Sequence, residues 1–119
     1  MLNDASGFKK IYIAIGFMDL GRGIEGLSAV IKFQFQLDPF QKDILFLFCG
    51  KRTDRIKGLV WEGEGFLLLY KRLNIGDFSW PRTKEAAMEI SPEQYGMLMK
   101  GLEIIAKRPI TETFLQQLL

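Results

Sequence analysis

Eight basic side chains lie between positions 51 and 84: Lys51, Arg52, Arg55, Lys57, Lys71, Arg72, Arg82 and Lys84. Only four acidic residues share that stretch, whereas residues 1–50 balance five against five and residues 85–119 hold three basic and five acidic. The chain as a whole is therefore only +2, with its positive charge concentrated in the middle. Lys and Arg at this density suit phosphate oxygens, the sequence-independent part of nucleic-acid binding. On a sheet edge the same residues also discourage unwanted strand pairing.

Other chemistry is harder to build from these residues. There is no His, which removes imidazole acid–base catalysis, Ser-His-Asp triads and most zinc sites. A two-metal phosphoryl-transfer centre needs clustered carboxylates. Asp19, Asp43, Asp54 and Glu62 are candidates by position alone, and Asp54 among Arg52, Arg55 and Lys57 reads as an ion-pair partner. Neither a metal site nor any other catalytic site is expected. Cys49 stands two and three positions before Lys51 and Arg52, whose charges would lower its pKa. Without a His partner it reads as a buried structural thiol. One Cys makes no internal disulfide, and the chain is expected to be cytoplasmic.

Gly21-Arg22-Gly23-Ile24-Glu25-Gly26 has the G-x-G-x-x-G spacing of a dinucleotide loop. The context does not match. Gly16 to Leu20 separate it from the preceding strand, the acidic residue closing a second parallel strand is missing, and the strands after it read as antiparallel. No cofactor is expected. Trp61, Phe66, Tyr70, Phe78 and Trp80 interleave with Lys57, Lys71, Arg72 and Arg82. Exposed rings beside cations stack on unpaired bases. Period-two alternation assigns most of them to the core, with Trp61 and Trp80 the rings to test at the surface.

Residue patterning supplies the scaffold for these groups. Residues 9–15 are β-branched and aromatic and read as a strand. Asp19 is a candidate helix N-cap. Ile24, Leu27, Ile31 and Phe35 recur at helical spacing over 24–36, and Asp38-Pro39 should stop that helix. Residues 44–49 form a continuous apolar run, as in a strand buried on both faces. Residues 55–62 and 66–72 read as a hairpin around Glu62-Gly63-Glu64-Gly65. Phe78 to Trp80 reads as a short strand stopped by Pro81. Ser91-Pro92-Glu93-Gln94 is a capping box, and Tyr95, Leu98, Leu102 and Ile105 form the buried stripe of a helix ending at Pro109.

The 119 residues fit one domain. Its composition is ordinary for a globular chain, with 48% hydrophobic and 25% charged residues. The longest apolar run, Ile11 to Met18, is too short for a membrane helix, and nothing reads as a signal peptide. The expectation is an α+β fold over 1–109, with an antiparallel meander of about four strands, an N-terminal strand and two main helices. Residues 110–119 form a short apolar tail containing Phe114, Leu115, Leu118 and Leu119.

One block of residues resembles a known family. It runs Phe48-Cys-Gly-Lys-Arg-Thr-Asp-Arg-Ile-Lys57, Leu59-Val-Trp-Glu-Gly-Glu-Gly-Phe66, Tyr70-Lys-Arg-Leu73 and Gly76-Asp-Phe-Ser-Trp-Pro81. Asp19, Gly23, Gly26 and Leu27 match a further Asp-x-x-x-Gly-x-x-Gly-Leu segment. The resemblance, over residues 8–109, is to the accessory protein encoded by the second open reading frame of bacterial insertion sequences of the sixty-six type, often called transposition protein B. It is unrelated to the RNA-guided nuclease sharing that label. Two departures stand out. Gly21-Arg22 occupies a place where members carry two basic residues, and the tail after Pro109 exceeds the usual ending.

The resemblance implies a role in transposition beside a separate transposase, with no catalytic residues to carry over. The repeated family residues Lys51, Arg52, Asp54, Lys57, Lys71 and Arg72 coincide with the basic block. The leading expectation is thus a non-enzymatic factor contacting DNA through the eight basic residues, with the element's transposase as a second partner. The alternative is a protein-interaction adaptor for that transposase, whose tail, Phe114 to Leu119, marks the partner surface. No recognition helix stands out to read bases.

Overall fold

A computed structural model describes residues 5–82, 86–101 and 104. Five strands form one sheet: β1 (Lys10–Phe17), β2 (Ile44–Cys49), β3 (Arg55–Trp61), β4 (Phe66–Arg72) and β5 (Ala87–Ile90). Their order across the sheet is β4-β3-β2-β1-β5. The hairpin of β3 and β4 continues from β2 as an antiparallel run. β1 joins β2 in parallel, with Tyr12 opposite Phe46 and Ile13 opposite Leu47. The α+β class and the two helices match the expectation, while the β1–β2 junction makes the sheet mixed.

Alternation sorts the strands' side chains onto two cores. Ile11, Ile13, Leu45, Leu47, Cys49, Ile56 and Val60 point to one face, where Phe78, Trp80, Tyr95, Leu98 and Met99 cover them. Tyr12, Ala14, Ile44, Phe46, Phe48 and Leu59 point to the other, beneath Leu27, Val30 and Ile31. β2 lies between both layers, and all six of its residues are buried. Its uninterrupted apolar run therefore needs no polar face.

The first helical segment is α1 (Ile24–Ala29), continued by a π-helical turn over Val30–Gln34. Gly23 is its N-cap and supplies no side-chain cap. Asp19, the expected cap, instead accepts the Gly21 N–H at 2.8 Å. Ser28 Oγ donates back to the Ile24 carbonyl at 2.9 Å, a bond that competes with straight α-winding. The wider turn, closed from Phe35 N to the Val30 carbonyl, leaves the Phe35 ring stacked on Phe48 at 6.2 Å. The helical winding ends before Asp38-Pro39, where Gln36 turns to a φ of 56°.

The segment expected as a fourth meander strand, Phe78 to Trp80, is not a strand. Phe78 donates its N–H to the Thr53 carbonyl at 2.7 Å, and Trp80 Nε1 donates to the Ala14 carbonyl at 2.7 Å. Both rings are buried, so side-chain burial and not ladder pairing explains the alternation. The remaining strand is β5, antiparallel to β1 at the far edge. Helix α2 (Pro92–Met99) comes next, with the expected capping box. Ser91 Oγ accepts from Gln94 N at 3.1 Å, and Gln94 Oε1 accepts from Ser91 N at 2.8 Å. The helix stops at Lys100 with Gly101 at a φ of 79°, well before Pro109. Leu102, Ile105 and the expected 110–119 tail lie outside the described residues.

Candidate nucleic-acid interface

Because β1 and β2 are parallel, the loops at their C-terminal ends open at the same end of the sheet. Residues 18–23 follow β1, and residues 50–54 follow β2. The antiparallel neighbours bring the start of β3 and the end of β4 to that end, with Arg55 opposite Arg72. A cleft of about 450 Å³ lies between the loops, lined by Met18, Asp19, Leu20, Gly21, Gly50, Lys51, Arg52 and Arg55.

Most of the expected contact residues meet here. Lys51 and Arg52 are exposed on the loop after β2. Arg55, Lys57 and Arg72 share the α1 side of the sheet by strand parity. Lys57 Nζ donates to the Arg22 carbonyl at 3.5 Å, which ties the β1 loop to β3. The Arg82 guanidinium lies over the Phe17 ring at 4.2 Å, beside the end of β1. Lys71, opposite Ile56, points to the α2 side and so stands apart from its neighbour Arg72. Lys84 lies outside the described residues.

The cations are not equivalent. Asp54 stands between two guanidiniums, 2.9 Å from Arg55 Nε and 3.6 Å from Arg52. The hydrogen bond from Arg55 holds the Asp54 carboxyl below its ordinary pKa, with the Arg55, Arg52 and Arg72 charges adding to the effect. The same bond raises the Arg55 pKa. The Arg52 side chain remains 74% exposed, against 22% for Arg55. Arg55 thus fixes the loop, and Arg52 presents its charge to solvent.

Two residues here were absent from the sequence-based set. Arg22 is exposed on the β1 loop, and Tyr70, opposite Lys57, is 54% exposed. Finding Arg22 requires the parallel β1–β2 pairing. Tyr70 was visible only as one ring of an alternating series. Of the two Trp candidates for base stacking, Trp80 is in the core. Trp61 lies at the opposite end of β3, packed against Phe40 and Phe66 at ring-centroid distances of 5.1 and 4.9 Å.

The remaining sequence candidates separate in space. Asp19 and Asp54 lie at the cleft end, while Asp43 precedes β2 and Glu62 follows β3 at the other. No group of three or more His, Cys, Asp or Glu among the described residues is arranged to hold a metal ion. The G-x-G-x-x-G spacing does sit on a parallel strand–helix–strand unit, contrary to the antiparallel context expected. Its glycines serve the local chain. Gly21 gives its N–H to Asp19, and a Cβ at Gly26 would meet Arg22 Cβ at 3.1 Å. Cys49 is fully buried, and burial, followed by the Asp54 and Asp77 charges, pushes its pKa up to about 12. Desolvation is the largest cause, and the thiol is the buried structural group that the sequence indicates.

A mixed sheet with exposed basic side chains at one end defines a small α+β protein. The chain belongs to the family described as IS66 Orf2 like protein, whose profile matches residues 9–109. That membership indicates an accessory role in insertion-sequence transposition, and the family is not a known catalytic one. The chain is 36% identical over 103 residues to the uncharacterized protein y4jC of Sinorhizobium fredii (strain NBRC 101917 / NGR234), covering 87% of this chain and 86% of that one. It is 32% identical over 94 residues to the uncharacterized protein y4hO of the same organism, covering 79% and 81%. No solved structure matches. No helix among the described residues is long and apolar enough to cross a membrane.

Proposed function

We propose that this protein is a non-catalytic accessory factor of transposition that holds DNA by phosphate contacts at the basic end of its sheet. One observation carries this reading: Lys51 and Arg52 line a cleft at one end of the sheet, and at that same end Arg72 lies opposite Arg55 while Lys57 reaches the Arg22 carbonyl. Phosphate contact needs charge and reach rather than a rigid catalytic geometry, and solvent-facing Lys and Arg supply both. The test is fluorescence anisotropy with insertion-end duplex, unrelated duplex and single-stranded DNA across a salt series. Affinity that falls steeply with salt supports the proposal. Absence of binding at low salt by folded protein overturns it.

A second reading, an adaptor for the element's transposase, draws on a different surface. Phe33 is 71% and Phe40 55% exposed. Phe40 borders a groove of about 410 Å³ with Lys32, Gln36, Leu37, Asp38 and Pro39. Exposed aromatic groups of this kind are common anchors for partners. Pull-down of the transposase with Phe33→Ser and Phe40→Ser proteins separates the two readings, since neither change touches the basic end.

A further inference from the structure

We propose that two copies of this chain pair antiparallel through the outer edge of β4, joining their sheets into one of ten strands. The proposal is independent of DNA binding. β4 is the terminal strand of the sheet, and among the described residues no strand pairs with its outer side. It contains no Pro, no bulge is found in its pairing with β3, and Leu67 and Tyr70 are exposed. Such an edge is a template for another strand.

The ladder fixes which groups face outward. Glu62 N donates to the Gly65 carbonyl at 2.8 Å, and Leu73 N donates to the Asp54 carbonyl at 2.7 Å. Antiparallel pairs alternate between bonded and non-bonded. Leu67, Leu69 and Lys71 therefore turn their N–H and C=O groups toward β3. Phe66, Leu68, Tyr70 and Arg72 turn theirs toward the open edge.

A two-fold axis perpendicular to the sheet at Leu68 matches this edge to itself. Leu68 then faces Leu68 of the second copy, and Phe66 faces Tyr70. Leu67 faces Leu69, and Arg72 faces Glu64 beside the turn. Every outward group of Phe66, Leu68 and Tyr70 gains a partner, apolar side chains meet apolar or aromatic ones, and the facing charges are opposite. A register centred on Leu69 places Glu64 opposite Asn74 and loses the charge match. The axis keeps both α1 faces on one side. It also sets the two Arg72 positions eight residues apart along the strand direction, roughly 27 Å.

The test is sedimentation equilibrium of the full-length protein without DNA, up to about 100 µM. The expected mass rises with concentration toward twice the 13.7 kDa of one chain. Tyr70→Pro removes an outward N–H while leaving the bonds to β3, and should remain monomeric with an unchanged circular dichroism spectrum. Arg72→Glu sets like charges opposite each other and should weaken association about tenfold, with Glu64→Arg in the same chain restoring it. A wild-type monomer throughout the range overturns the proposal. So does a dimer that survives Tyr70→Pro, or one indifferent to the charge reversal.

Discussion

Asp54 Oδ1 accepts the Nε–H of Arg55, its immediate neighbour, at 2.9 Å, and Arg52 approaches the other carboxylate oxygen at 3.6 Å. One carboxylate thus offsets part of the charge at the cleft. Asp54→Asn should strengthen DNA binding and steepen its salt dependence, by about 0.9 in the log–log slope for each phosphate newly engaged. Anisotropy titrations at several salt concentrations measure both.

The same pair has a pH signature. The Asp54 carboxyl is held below its ordinary pKa by Arg55. Its stabilising contribution is therefore present above the unfolded carboxylate pKa and is lost as pH falls through the lowered folded value. Asp54→Asn should lower stability at neutral pH, leave the most acidic region little changed, and so flatten the acid side of the profile. Urea midpoints between about pH 2 and 7 test this. An unaltered acid limb would show that Asp54 is not ionised differently in the two states.

Lys51→Ala and Lys57→Ala should each lower the salt slope of DNA binding by about 0.9, with both proteins folding normally. Lys42 is exposed at the opposite end of the sheet, next to its bridge with Trp61. Lys42→Ala should leave the slope unchanged. Equal losses from all three substitutions would point to diffuse charge in place of a defined surface.

The legible parts of this fold were those set by local chemistry. The capping box at Ser91 and Gln94, the buried run of β2 and the β3–β4 hairpin arise from residues close in sequence. The parallel β1–β2 pairing does not, because it joins segments separated by the whole of α1. Without that pairing, Arg22 and Lys57 have no visible relation. Phe78 and Trp80 misled for a different reason: two buried rings at period two look like a strand wherever a loop packs on a core. At the candidate interface the residue types were readable. Their division into solvent-facing Arg52 and ion-paired Arg55 required the geometry around Asp54.

Cys49 provides a probe of the core. Its thiol is buried and its pKa is pushed up to about 12, so little thiolate exists at neutral or mildly alkaline pH. Native protein should react with a thiol reagent at about pH 8 far more slowly than protein unfolded in denaturant. Ellman-type kinetics on the two states measure the ratio. Rapid native labelling would mean that the end of β2 opens readily.

Trp80 separates a structural ring from a base-stacking one. Its indole Nε1–H donates to the Ala14 carbonyl at 2.7 Å across the buried face of the sheet. Trp80→Phe keeps most of the apolar area but leaves that carbonyl without its donor, at a cost of about 1–3 kcal/mol. Trp80→Ala also opens a cavity and should cost about 3–5 kcal/mol. DNA affinity of the folded Trp80→Phe protein should match wild type, since the ring is only 8% exposed. Chemical denaturation and anisotropy on the same preparation distinguish the outcomes. A stable Trp80→Phe protein with weakened single-strand binding would place the indole against a base and not in the core.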